Sequence, residues 1–170
     1  MSEFEKYYPK TSNLSTKFLD NPELGFKEYQ TSKLIEDEIK SISPSIKVEH
    51  YLGTGLKVIF DNHKPKTIGI LAEMDALYQP KHFKANPETG AAHACGHYTQ
   101  VGIALAMINE IVKAERLKEF GTNLAFIFTP AEEFVDLDWR QEQKAKHKLD
   151  YFGGKQEAIK QGFFDHINYC

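Results

Sequence analysis

Two hydrophobic periods alternate along the chain. Between Lys27 and Ile42 the apolar residues Leu34, Ile35, Ile39 and Ile42 recur at helical spacing, with Glu36, Asp37, Glu38 and Lys40 on the other side. A helix is predicted over 27–42. It stops before Ser43-Pro44, because proline disfavours the helical conformation of its predecessor. Residues 2–19, mixed polar and aromatic, also read as helical. Beyond Pro44 the period falls to two: Ile46, Val48 and His50 alternate with polar residues, Gly53 and Gly55 mark a turn, and Leu56–Phe60 follows. This pair reads as a hairpin. TIGILA (67–72) and NLAFIF (123–128) are continuous apolar runs, the pattern of strands buried on both faces. Between them, 76–92 has no clean period, and a loop of that length inside a compact domain usually serves a function. Val101, Leu105, Ile108 and Val112 then share one face of a helix over 99–117, and Gly121 ends the segment. Residues 134–150 are densely charged and read as solvated surface, and 153–162 as a short helix bounded by glycines. Strands alternating with helices predict an α/β fold.

Composition narrows the function classes. With 170 residues the chain suits one domain or part of a larger one. The formal net charge is -3 and no basic run stands out, which argues against nucleic acid as a partner. No apolar run is long enough to span a bilayer, and MSEFEKYYPK lacks the apolar core of a secretory signal. The two cysteines, Cys95 and Cys170, are far apart, unlike a disulfide scaffold. Reduced thiols and a cytoplasmic location are expected.

Three polar clusters stand at strand or helix ends. Glu73 and Asp75 follow TIGILA, Cys95 and His97 open a helix, and Glu132 and Glu133 follow NLAFIF. Ligands of open α/β sheets bind outside the carboxyl ends of the strands, so all three clusters are expected on one rim. A thiolate, an imidazole and carboxylates form the ligand set of zinc and similar ions. Gly96 lets the backbone bend so that Cys95 and His97 face one point, and the helix start is expected to lower the Cys95 pKa. Burying adjacent glutamates calls for a nearby cation, with one carboxylate on the metal and the other free as a base. Each cluster alone has a plainer reading: a buried cysteine by a turn, a solvated acidic pair, a turn-capping aspartate. His50, His63, His82, His147 and His166 read as surface residues, and His93 as a structural histidine bonded to backbone. It is the joint pattern that favours a metal.

These stretches occur in an order that resembles the M20 metallopeptidases, in the M20D-like amidohydrolase branch: NPELGFKEYQTSKLI (21–35), LAEMDAL (71–77), AAHACGH (91–97), FTPAEE (128–133) and GGKQEAIKQGFFD (153–165). The resemblance implies a zinc-exopeptidase-like α/β/α sandwich with a mixed sheet. Residues 1–170 would form the N-terminal, incomplete part of its catalytic domain, without the lid domain. It implies two divalent metal ions (zinc, manganese, cobalt or nickel), with Cys95 bridging them, His97 and Glu133 as further ligands, and Glu132 as general base. Asp75 would stand behind the metals and orient a ligand. The implied reaction is hydrolysis of an amide bond in N-acyl amino acids or related small amides.

Two departures qualify the resemblance. Tyr98 stands where the branch commonly carries Asp or Asn. The family's lid and C-terminal metal-binding histidine lie beyond the segment matching GFFDHIN, so weak metal binding and little activity are expected of the 170 residues. The alternative is a non-catalytic remnant that associates through an exposed sheet edge, which leaves a homo-oligomer open. A nucleophilic Cys95 gives Glu132 and Glu133 no role.

Overall fold

The computed structural model describes the backbone of residues 3–170 and the side chains from Tyr8 onward. Five helices are present among these residues: α1 (Glu3–Leu19), α2 (Tyr29–Ile42), α3 (His97–Lys113), α4 (Leu137–Ala145) and α5 (Gly154–Lys160). The strands are β1 (Glu49–Tyr51), β2 (Gly55–Phe60), β3 (Thr67–Glu73), β4 (Leu77–Tyr78), β5 (Ala91–Ala92) and β6 (Asn123–Thr129). The helix expected over 27–42 begins at Tyr29, where the Glu23 carboxylate accepts the N–H groups of Gln30 (3.1 Å) and Thr31 (2.8 Å). That side chain satisfies two of the donors every helix start leaves open. The helix expected over 99–117 starts two residues earlier and ends at Lys113, followed by a 3-10 turn at Arg116–Glu119.

The expected hairpin forms, with His50 opposite Leu56 and a turn in which Leu52 and Gly53 both take positive φ. Its second strand joins a mixed four-stranded sheet of order β1-β2-β6-β3, in which β2 runs antiparallel and β3 parallel to β6. Alternation along β6 divides the core. Leu124, Phe126 and Phe128 face the cluster made with α1, α2 and α3. Ala125 and Ile127 face Tyr51, Ala158 of α5 and, around them, Phe163, Phe164 and Ile167. The layers are those of an α/β/α arrangement with a mixed sheet. No helix among the described residues is long and apolar enough to cross a membrane.

Two expectations are corrected. TIGILA is not buried on both faces: β3 lies at the sheet's edge, Ile68 is exposed, and only the terminal residues run beside it, with Gly69 donating to the Tyr169 carbonyl at 2.7 Å. An edge strand has one neighbour fewer to cover it. Nor is 134–150 wholly solvated. It contains α4, whose Arg140 is fully buried, donates from Nη1 to the Phe152 carbonyl (2.6 Å) and stands over the Phe26 ring. The 76–92 stretch, unstructured by pattern, carries the small β4–β5 ladder.

One buried carboxyl ties the NPELGFKE segment to the end of β6. Glu28, fully buried, accepts the Ala131 N–H at 2.8 Å and the Thr54 hydroxyl at 2.7 Å. Burial, and then the charge of Asp75, raise its pKa to about 7. A carboxyl that holds its proton more tightly when folded adds stability below pH 4.5 and loses it as pH rises to about 7. Glu28→Gln is therefore expected to melt like the wild type near pH 4.5 and at a higher temperature above pH 7. Glu28→Leu, which leaves the Ala131 N–H unpartnered, is expected to lose about 1–3 kcal/mol at every pH. Thermal melts across that range check both.

Candidate metal centre

The site is set by the βαβ unit β3–α3–β6. The parallel register pairs Glu73 with Thr129, so the carboxyl ends of the two strands stand level. The start of α3 lies at the same rim, because the crossover helix returns antiparallel to the strands it joins. The three expected clusters therefore meet. Gly96, at φ 98° and ψ 4°, makes the left-handed turn between Cys95 and His97. A side chain there would meet only Thr99 Oγ1, at an ordinary contact distance of 3.8 Å, so glycine is required by the backbone and not by crowding.

His97 is the hub. Its ring is buried, and Nδ1 lies 2.9 Å from the Asp75 carbonyl and 3.3 Å from Asp75 Oδ1. Nε2 faces three further carboxylates: Glu73 at 3.0 Å, Glu132 at 3.9 Å and Glu133 at 4.0 Å. Asp75, also buried, uses Oδ2 to accept the Glu133 N–H at 2.9 Å, while Oδ1 has no hydrogen-bond partner. Asp75 thus touches both the histidine and the glutamate strap. Glu133 is more enclosed than Glu132, whose side chain is 36% exposed.

Two groups of donors lie within 4.8 Å of one another: Cys95, His97 and Glu133, and Glu73, His97 and Glu132. Two ligand atoms on a tetrahedral zinc stand about 3.4 Å apart, since each bond is about 2.1 Å. The His97 distances of 3.0–4.0 Å bracket that value. Donor types and spacing fit a divalent ion. Both groups draw on the same nitrogen, Nε2, because Nδ1 is committed to Asp75.

The four carboxylates are offset in part by His97 and Lys155. Burial pushes His97 down, but the hydrogen bonds and charge of Asp75, with Glu73, raise its pKa to about 9. Burial pushes Glu73 up, and Lys155, Gln100 and His97 more than reverse it, leaving it lowered. Gln100 grips Glu73 at two points, donating from Nε2 to Oε2 (3.1 Å) and accepting the Glu73 N–H (3.0 Å). Lys155 from α5 bonds Glu73 Oε1 and lies 3.6 Å from Glu132 Oε1. The expectation of a lowered Cys95 pKa is overturned: its bond to Glu133, then burial and the neighbouring carboxylates, push the thiol up. The helix start is outweighed by charge of the wrong sign.

The structure brings Cys95, His97, Glu132, Glu133 and Asp75 together at one rim. The sequence reading named Glu73 in its cluster but gave it no role, and it singled out neither Gln100 nor Lys155. A role for Glu73 was within reach, since it precedes Asp75 by two residues and shares its side of the strand. His93 is buried against Tyr98, with Nε2 lacking any hydrogen-bond partner, and burial lowers its pKa to about 4. At that nitrogen the expected backbone bond is absent. Tyr98 packs against the helical core and offers the centre no carboxylate. A cavity of about 750 Å³ opens beyond the strap, between Leu24, Lys27, Tyr78, Thr89 and Asp136, and its walls include none of the donors.

The model of peptidase family M20/M25/M40 matches residues 69–155, the span from β3 to Lys155. The chain is 37% identical over 160 residues to "Thermostable carboxypeptidase 2" of Saccharolobus solfataricus, covering 90% of this chain and 36% of that protein. It is 34% identical over 115 residues to "N-acetyldiaminopimelate deacetylase" of Shouchella clausii, covering 66% of this chain and 30% of that one. Among solved structures, a Bacillus subtilis protein described as a dinuclear metal binding peptidase shares the fold, with TM-score 0.70 at 23% identity, over 96% of this chain and 41% of that one. The chain spans about a third of the length of the curated relatives it matches.

A histidine with a raised folded pKa stabilises the fold fully below pH 6.5 and ceases to as pH passes about 9. Chelator-treated protein is therefore expected to lose melting temperature across that interval. The His97 imidazole is expected to titrate near its upper end by 1H–15N NMR, and Asp75→Asn is expected to move that midpoint down. An unshifted midpoint would sink the Asp75 assignment.

Proposed function

The chain belongs to the M20/M25/M40 peptidase family, and from that premise we propose that it forms the N-terminal part of the catalytic domain of a metal-dependent amidohydrolase. The observation that carries the reading is the convergence of Cys95, His97 and Glu133 on one point, with the more exposed Glu132 beside it. Cys95, His97 and Glu133 would hold the divalent ions from this chain. The donor set suits zinc and accepts manganese, cobalt or nickel. The dinuclear description of the Bacillus subtilis protein of like fold supports the count of two.

An ion held there supplies Lewis-acid polarisation of the scissile carbonyl and of the attacking water. The chain's own residues do the rest. Glu132 reaches toward solvent with Oε2 3.9 Å from His97 Nε2, close enough to the centre to take the water's proton and return it to the leaving amine. Asp75 fixes the His97 ring through Nδ1 and so leaves Nε2 for the metal. The backbone of Glu133 is held by its own N–H on Asp75.

The substrate is a small amide with a free carboxylate, an N-acyl amino acid or short peptide. The names carboxypeptidase and deacetylase among the relatives share that bond type. A reducing cytoplasm suits the site, since both cysteines are free and a disulfide would remove Cys95 as a ligand.

Elemental analysis after dialysis against zinc or manganese is expected to find metal on the wild type and none on Cys95→Ala or His97→Ala. Where an N-acyl amino acid panel gives turnover, Glu132→Gln is expected to keep the metal and lose about 10²-fold or more in kcat. Metal retained by both ligand variants would overturn the reading.

A further inference from the structure

The two donor groups are alternatives, because both need His97 Nε2. An ion bound by Cys95, His97 and Glu133 leaves Glu132 free. An ion bound by Glu73, His97 and Glu132 consumes the base as a ligand and leaves the thiol out. Bare geometry does not favour the first: Glu73 is the carboxylate nearest His97 Nε2, at 3.0 Å against 4.0 Å for Glu133. One cationic side chain distinguishes the two. Lys155 bonds Glu73 Oε1 and stands 3.6 Å from Glu132 Oε1, pairing with both carboxylates of the second group and with neither Cys95 nor Glu133.

The position of Lys155 is built into the fold. Gly154 donates its N–H to the Ala131 carbonyl at 2.9 Å, and a side chain on Gly154 would collide with the Pro130 carbonyl. The start of α5 is thereby pressed against the strap that carries Glu132. Gln100 holds Glu73 from the other side. Lys155 is about a third exposed, so its ammonium reaches the site from the rim and not from the core.

We propose that Lys155 is an internal cation that occupies the Glu73–Glu132 side of the centre, steering the metal to Cys95, His97 and Glu133 and keeping Glu132 unligated. The assignment rests on the metal-centre reading and names what selects between its two coordination modes. Lys155 is a positioning residue: it touches two carboxylates, not substrate. An ammonium and a divalent ion compete for those oxygens, since like charges a few ångströms apart repel.

The test uses cobalt(II) as probe, because a thiolate ligand gives a sulfur-to-cobalt charge-transfer band and a carboxylate does not. Wild type and Lys155→Arg are expected to show the full band per bound cobalt and to protect Cys95 from a thiol reagent. Lys155→Met is expected to bind cobalt with the band reduced to about half or less, the share left when two modes of similar affinity divide the ions, and with Cys95 open to labelling. Glu73→Gln in the Lys155→Met background removes the competing mode and is expected to restore both signals. Lys155→Gln serves if the methionine variant melts early. An unchanged band and unchanged protection in Lys155→Met and Lys155→Gln would overturn the proposal while leaving the metal centre standing. No thiolate band in the wild type would overturn the metal-centre reading and this assignment together.

Discussion

Four carboxylates crowd one imidazole, and the rest of the structure answers that constraint. Glu73 and Glu132 have oxygens within 4.8 Å of each other and of His97 Nε2. Two like charges at that spacing repel by about 3–4 kcal/mol at an effective dielectric of about 20, and solvent at Glu132 lowers the figure. The metal-free chain offsets the repulsion with hydrogen bonds and cations. Asp75 takes the Glu133 N–H and faces the His97 ring, Gln100 takes Glu73, and Lys155 spans Glu73 and Glu132. His97 gains a proton for the same reason, its pKa lifted by Asp75 and Glu73 against the pull of burial. The site is charged on both sides before any ion arrives.

Holding the acidic strap in place needs an unusual backbone. Ala131 sits at φ 55°, a left-handed conformation that costs a non-glycine residue about 1–2 kcal/mol. Three contacts from two separate segments over-determine it. Glu28 accepts its N–H, Gly154 donates to its carbonyl, and Gly25 packs so close that a side chain there would strike the Ala131 backbone. Such strain persists only where the surroundings enforce it. This explains why NPELGFKE, far from the candidate donors in sequence and carrying none of them, has a place in the motif set. Its residues cap α2 through Glu23 and clamp the turn before Glu132 through Gly25 and Glu28.

What the sequence made legible follows from local physics. Periodicity located α2, α3, the hairpin and β6, because each buries one face or both against a core that repeats along the chain. The candidate donors stood out because they follow apolar strands or open a helix. β3 was misjudged because an apolar run records composition and not the number of neighbours, and an edge strand can be as apolar as a central one. Arg140 was unreadable in a charged stretch: its burial depends on Phe26 and the Phe152 carbonyl, contacts that no local pattern encodes. Lys155 was hidden for the same reason, standing 82 residues from Glu73. The Cys95 pKa failed differently. The helix start was read correctly, but its modest field competes with carboxylates brought in by β3 and β6.

The same balance governs how the centre exchanges proton for metal. The His97 proton and the Lys155 ammonium together stand in for part of the charge an ion would bring. Binding must remove the proton from Nε2 and, by the raised thiol pKa, one from Cys95. Both ligands hold those protons because of the carboxylates that make the site attractive to a cation. Carboxylates therefore act on metal binding in two opposed ways, directly as attraction and indirectly by strengthening the competing protons. Asp75 pushes hardest in the second sense, through two contacts with Nδ1, yet it is also what turns Nε2 toward the ligands. Orientation and proton competition are carried by one side chain, and neither can be tuned without the other.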